Sequence, residues 1–167
     1  MLTAADKDRH FMTLALAQAE RAARKGEVPV GAVIISNGEV LSRGCNATIV
    51  ACDPTAHAEV LALRKACRKR RNHRLPDCEL YVTLEPCALC LGAIVQARVK
   101  RLVYGARDPK AGAVVSVMRF PFRKLNHRPE VRSGVLAAEC GARLKEFFKA
   151  RREHRNKERV RERWPSG

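Results

Sequence analysis

Glu79-Leu80-Tyr81-Val82-Thr83-Leu84-Glu85-Pro86-Cys87-Ala88-Leu89-Cys90 changes character halfway along. Its first six residues are rich in β-formers and read as a strand. Pro86 suits the first turn of a helix, where its missing N–H costs nothing, and that helix runs to about Arg98. Working outward, Arg101 to Tyr104 reads as the next strand. Ala56 to Arg71 reads as the preceding helix, after a loop broken by Asp53-Pro54. Further upstream, Val30 to Ile35 and Val40 to Cys45 flank Asn37-Gly38, the strongest short hairpin signal, because both turn residues tolerate positive φ. Asp6 to Lys25 opens the chain as an amphipathic helix closed by Gly26. Ala106 to Pro129 is a long loop of the kind that is usually functional. Glu130 to Val135 is a last strand and Leu136 to about Arg159 a last helix, with Trp164 to Gly167 as a frayed tail. The alternation predicts an α/β domain with helices covering a central sheet. Its first two strands pair antiparallel and its later, helix-separated strands can run parallel.

The length of 167 residues fits a single domain spanning 1–167, with a basic helical extension from about residue 150. No apolar run is long enough to span a membrane. Met1 to His10 lacks the basic-then-apolar order of a signal peptide, so a cytoplasmic protein is expected. The seven cysteines, at 45, 52, 67, 78, 87, 90 and 140, are an odd number in a chain with no export signal, which argues against a disulfide framework. Most are expected to be small buried hydrophobes.

Two of them ask for chemistry. His57-Ala58-Glu59 and Pro86-Cys87-Ala88-Leu89-Cys90 each open a predicted helix. Cys87 and Cys90 are three apart, so both thiols lie on one face of a first turn. A helix N-terminus favours the thiolate, the form that binds metal. Two thiolates and an imidazole select zinc over magnesium or calcium, and three protein ligands leave the fourth tetrahedral position open, as in catalytic sites. Zinc brings the pKa of water to roughly 7, and Glu59 is positioned to carry the proton. Residues two apart on a regular helix point to nearly opposite sides. His57 and Glu59 can therefore share a site only if the helix starts around them, which places His57 at its very first turn. Two other readings stand beside this one. A structural Cys₃His site would recruit Cys52 or Cys45 and leave Glu59 unexplained. A thioredoxin-like redox pair would also use Cys-x-x-Cys, but here Pro86 precedes the pair and no Trp-Cys-Gly context exists. His10, His73, His127 and His154 read as surface groups.

His-x-Glu, then a strand, then Pro-Cys-x-x-Cys at a helix start is the zinc-deaminase signature. The chain resembles the bacterial tRNA-specific adenosine deaminases of the cytidine deaminase superfamily. The resemblance runs from about His10 to Arg152. It is carried by Glu27-Val28-Pro29-Val30-Gly31-Ala32-Val33, Asn46, Asp53-Pro54-Thr55-Ala56-His57-Ala58-Glu59, Leu80 to Cys87, Tyr104-Gly105-Ala106-Arg107-Asp108, Asn126-His127-Arg128 and Phe147-Phe148. It implies a three-layer α/β/α sandwich around a mixed five-stranded sheet, a homodimer, one zinc ion per subunit, and conversion of the wobble adenosine of a tRNA anticodon to inosine. Residue by residue, it implies His57, Cys87 and Cys90 as zinc ligands and Glu59 as proton shuttle. Asn46 would bond the target nucleoside, the Ala58 backbone would read the purine edge, and Val28 and Pro29 would form part of the pocket wall. Asp108 would lie close to the nucleic acid. Leu89 stands where the family usually has Met, a nearly volume-conserving change. Arg119 to Leu125 departs from the family pattern.

The net charge is +16, from 33 Lys and Arg against 17 acids. Such a field attracts polyanions; the plainer reading is an arginine-rich composition that only aids solubility. Arg107, Lys110, Arg128, Arg151 and Arg152 are the candidate phosphate contacts, with Arg119, Arg123 and Lys124 adding to the long loop. The Arg64–Arg74 cluster is equally a solvated helix face. The partner expected is a tRNA anticodon stem-loop. The competing enzyme is a free-base or nucleoside deaminase acting on guanine, cytosine or cytidine, and a third reading is a non-catalytic RNA-binding module that keeps zinc for stability.

Overall fold

A computed structural model describes residues 3–163; Met1, Leu2 and Trp164–Gly167, including the expected frayed tail, lie outside the described residues. The chain runs α1 (Ala4–Arg24), β1 (Gly31–Ser36), β2 (Glu39–Cys45), α2 (Ala58–Arg70), β3 (Cys78–Leu84), α3 (Ala88–Gln96) and β4 (Arg101–Ala106). A single 3-10 turn (Phe122–Lys124), β5 (Glu130–Arg132) and α4 (Ala137–Arg163) complete it. The five strands form one sheet in the order β2-β1-β3-β4-β5. β1 pairs antiparallel with both β2 and β3, while β3, β4 and β5 run parallel, so the sheet is mixed.

Alternation along the strands builds the two faces. Ala32, Ile34, Leu80, Val82, Leu102 and Tyr104 pack with Ala58, Ala62, Leu91 and Ile94 from α2 and α3. Val33, Ile35, Tyr81 and Val103 pack with Phe11, Met12, Ala15 and Cys140 from α1 and α4. The result is three layers, α/β/α. Across the α1 face, Asp8 is buried and bonded at 2.7 Å to Arg101, to Arg132 and to the Tyr81 hydroxyl. One carboxylate thus pins α1 to β3, β4 and β5.

Element ends differ from the expectations where local capping decides them. Helix α1 begins two residues early, because Thr3 and Asp6 form a reciprocal capping box. Pro86 lies outside α3 rather than in its first turn; Cys87 is the cap, and the helix closes at Gln96. Strand β5 is only three residues long, since Gly134 and Leu136 take positive φ and turn the chain into α4. The Asn37-Gly38 hairpin forms with both residues at positive φ. Of the cysteines, Cys78 and Cys140 are buried, Cys45 and Cys67 are half-buried, and Cys52 is exposed, so the buried-hydrophobe expectation fails at Cys52. No helix among the described residues is long and apolar enough to cross a membrane.

Candidate metal centre

Two helix N-termini meet at the C-terminal ends of β3 and β4. A hydrogen on Gly44 allows α2 to lie directly on β2: a Cβ there would come within 2.2 Å of the Ala58 carbonyl oxygen. This close approach sets where α2 begins. His57 is its N-cap, with extended backbone (φ −73, ψ 150) and no side-chain capping bond. Cys87 caps α3 in the same way (φ −78, ψ 173). Because neither side chain is spent on its own helix, each is free to face the other.

His57 Nδ1 lies 3.5 Å from Cys87 Sγ and 3.4 Å from Cys90 Sγ. Bonds of roughly 2.0 Å to nitrogen and 2.3 Å to sulfur around a tetrahedral ion separate such donors by about 3.5 Å. The three residues are the group of potential metal ligands found among the described residues, and Cys45 and Cys52 are not part of it. The donor set and its spacing fit one metal ion. The thiol pair is already polarised: the hydrogen bond from Cys90 and the neighbouring His57 bring Cys87 down to about 4, while Cys90, donating to Cys87 and buried, is pushed up. One thiolate thus stands at the head of a helix, where the dipole favours it. The hydrogen bond with Cys87 raises His57.

Glu59, the second residue of α2, is buried, and burial lifts its carboxyl to about 7. The extended conformation at His57 removes the two-apart conflict: the imidazole belongs to the incoming loop and the carboxylate to the helix. Both line a cavity of about 260 Å³. That is below the roughly 300–1,000 Å³ of sites that hold drug-sized ligands, and suits one heterocycle. Val28 and Val30 form one wall, Asn46 and Thr48 another, and Leu84, Glu85, Asp108 and Ala111 the rest, beside Cys87. Ala58 is fully buried at the head of α2. Pro29 does not line this cavity; it lines a groove between α1 and α4 with Arg24, Arg143 and Phe147.

The cavity owes its loops to two buried carboxylates that were not singled out in the sequence. Glu27 accepts from the Ile49 and Val50 amides at 2.9 and 2.7 Å and from the Thr48 hydroxyl, fixing the loop after Asn46. Glu85 accepts from the amides of Asp108, Val114, Val115 and Ser116 at 2.8–3.1 Å and from the Ser116 hydroxyl. Gly112 lies so close that a Cβ would sit 2.5 Å from the Glu85 carboxyl. Burial alone would raise Glu85, but these bonds hold it below the usual carboxylate range. The available signal was the long loop itself: buried amides without a ladder need an acceptor, and an acid closing a buried strand supplies one.

The basic candidates fall in separate places. Lys110 lies over the Phe148 ring, 5.3 Å from its centroid, bringing the loop that carries Asp108 against α4. Arg151 and Arg152 line a surface groove beginning at Phe148. Arg107 is exposed on the same loop. Arg128 lies elsewhere, with Arg119, Arg123 and Lys124 around a 670 Å³ cleft floored by Phe120 and Phe122. The Arg64–Arg74 cluster starts near the site, where Arg64 pairs with Asp53 at 3.7 Å, and runs away from it along α2. His127 is not a plain surface group: its Nε2 is 2.7 Å from the Val99 carbonyl oxygen.

A family model described as MafB19-like deaminase matches residues 5–152. The chain is 49% identical over 157 residues to the tRNA-specific adenosine deaminase of Haemophilus influenzae, covering 92% of this chain and 90% of that one. Among solved structures it resembles a tRNA:A34 deaminase studied for A-to-I editing at the wobble position of transfer RNA. The TM-score is 0.77 at 47% identity, over 81% of this chain and 99% of the other. It also resembles the guanine deaminase of Nitrosomonas europaea, with a TM-score of 0.67 at 26% identity over 88% of this chain and 85% of the other.

Proposed function

From the premise that the chain belongs to the tRNA-specific adenosine deaminases, within the MafB19-like deaminase family, we propose that it converts the wobble adenosine of a tRNA anticodon to inosine. The observation that carries the reading is the convergence of His57, Cys87 and Cys90 with buried Glu59 on one base-sized cavity. The metal proposed is zinc, one per subunit, matched by the imidazole and two sulfur donors; bound there, it supplies Lewis-acid activation of water near neutral pH.

The chain's own residues do the rest. The target base must leave its stack to enter the cavity, a lower cost in an anticodon loop than in a duplex. Val28 and Val30 hold its faces out of water, and the Asn46 side chain and Ala58 backbone are proposed to fix its edge and ribose. Glu59 takes a proton from water and gives it to the purine ring nitrogen, then takes the proton left on the hydroxyl added at C6 and passes it to the amine as the C6–N bond breaks. Water's oxygen remains on C6 and ammonia leaves, so adenosine plus water balances inosine plus ammonia. Asp108 would lie beside the flanking nucleotides, and Arg107, Lys110, Arg128, Arg151 and Arg152 would hold phosphates. The proposed assembly is a cytoplasmic homodimer, supported by Leu89, Val115, Val117 and Met118, large apolar side chains that stay exposed on α3 and the long loop.

Incubation with an anticodon stem-loop, read by mass spectrometry, tests the activity: amine-to-oxygen replacement adds about one mass unit. The likeness to guanine deaminase favours one other reading, a free-base deaminase. Turnover of guanine, cytosine or cytidine but not the stem-loop would establish that reading and sink the first.

A further inference from the structure

Helix α4 has two halves. Ala137, Cys140, Gly141, Leu144, Phe147 and Phe148 recur at helical spacing and are the residues that the body covers in whole or part. Beyond Phe148 every side chain described is exposed. The helix nevertheless continues to Arg163, about 22 Å past Phe148 at 1.5 Å per residue. The family model matches residues up to 152, so most of this projecting part lies beyond that match.

The free half is not evenly charged. Arg151, Arg155, Arg159 and Arg163 follow one another at four-residue steps. At 100° per residue they drift only about 40° per step, so with Arg152 they occupy an arc of about 120° centred on the direction of Phe148, an arc in which Glu162 is the one acid. Successive members rise about 6 Å, comparable to the separation of neighbouring phosphates on one strand. None of the five makes a salt bridge among the described residues; Glu158 is turned to His154 instead. Like charges at four-residue spacing weaken an isolated helix, so the stripe does not serve the helix itself. Its near end is the cavity mouth. Asp108 lines the cavity, Lys110 on the same loop lies over Phe148, and Phe148 shares a groove with Arg151, Arg152 and Arg155.

We propose that Arg155, Arg159 and Arg163 form a phosphate track, which carries the RNA from the cavity mouth along one strand of the stem beyond the target loop. The inference rests on the proposed RNA substrate but concerns a different surface. A base held in the cavity brings its flanking phosphates to Lys110 and Arg151, and the projecting helix continues that line outward. Arginine suits the role because its planar fork binds phosphate oxygens in pairs.

The test compares the metal-loaded parent with the triple variant Arg155→Gln/Arg159→Gln/Arg163→Gln, measuring binding of a labelled anticodon stem-loop across a salt series. Three lost phosphate contacts should reduce the slope of log K against log salt by about 2.7, so between about 50 and 200 mM salt the parent loses about 40-fold more affinity than the variant. The matching triple lysine variant should restore the slope, since it keeps the charge. An unchanged slope with Gln, or the Gln slope persisting with Lys, would overturn the track. The same change of slope on a seven-nucleotide loop lacking its stem would overturn the stem assignment. Slope is read from binding alone, whereas inosine formation by the parent is scored separately, so loss of one claim is not mistaken for loss of the other.

Discussion

Replacing Glu85 with Gln keeps size and shape but exchanges one carboxylate oxygen for an NH₂ group. The two oxygens are loaded unequally: Oε1 accepts three amides, from Val114, Val115 and Ser116, and Oε2 accepts the Asp108 amide and the Ser116 hydroxyl. The new NH₂ therefore takes the Oε2 side, where the hydroxyl can turn and accept from it. The Asp108 amide cannot, and it becomes a donor facing a donor, at a cost of about 1–3 kcal/mol. The three bonds at Oε1 survive but lose charge assistance, roughly half their strength. A neutral amide is cheaper to bury than a carboxylate, which offsets part of this. The net loss is about 2–4 kcal/mol, borne by the segment from Asp108 to Ser116.

If that cost falls on local opening, the open loop becomes roughly 30- to 1,000-fold more populated. Hydrogen–deuterium exchange resolved to the peptide spanning residues 107–116 reads this directly. Exchange there should accelerate by that factor, while amides of β1 and β3 change little. Metal content should stay at the parent level, because no donor atom is altered. KM for an anticodon stem-loop should rise, since Asp108 and Ala111 line the cavity. Exchange of the 107–116 peptide within about threefold of the parent would refute the assignment of Glu85 as the clasp of this loop.

Glu59→Ala should retain fold and metal but lower kcat by at least about 10²–10⁴-fold, as expected for loss of a proton carrier; near-parental turnover would remove Glu59 from the mechanism. Cys87→Ala should lose metal, measured by atomic emission, and melt at a lower temperature because metal binding is coupled to folding; unaltered metal content would point to another ligand set. Asp8→Asn should cost about 3 kcal/mol at neutral pH, or roughly 6–12 °C in Tm, by leaving Arg101 and Arg132 without their shared anion. Burial would raise Asp8, but Arg101, Tyr81 and Arg132 outweigh it and hold the carboxyl low. Its contribution is therefore fully present above about pH 4 and is lost as pH falls through the lower folded value. The acid limb of a pH–stability curve should be flatter in the variant, and identical limbs would refute the coupling.

What the sequence disclosed and what it withheld divide along a physical line. Periodicity and turn chemistry are local, so the hairpin at Asn37-Gly38, strands at 30–35 and 79–84 (31–36 and 78–84 in the structure), and the alternation of helix and strand were all legible in the sequence. The candidate ligand trio was legible for a related reason: a Cys-x-x-Cys turn presents two thiols by local geometry alone, and the His-x-Glu conflict forced His57 to a helix start, where the structure has it. Pro29 shows the limit of a role implied by resemblance, since residues next to each other in an extended segment face opposite ways; Val28 faces the cavity and Pro29 the α1–α4 groove.

Glu27, Glu85 and Asp8 lie on the other side of that line. Each is a carboxylate whose partners come from separate elements: loop amides 22 and 23 residues away for Glu27, amides 23–31 residues away for Glu85, and an arginine 93 residues away for Asp8. Nothing periodic announces such a pairing, and the sequence alone assigned none of the three acids a partner. Burial makes the difference, because a buried carboxylate persists only where several donors converge on it. For Glu27 and Glu85 the donors are mostly loop amides that no strand or helix had claimed. Glu27 and Glu85 hold the loops that wall the cavity in which Glu59 lies. On the proposed function, the candidate ligands therefore point to the type of reaction, while the choice of base would rest on loops that Glu27 and Glu85 hold.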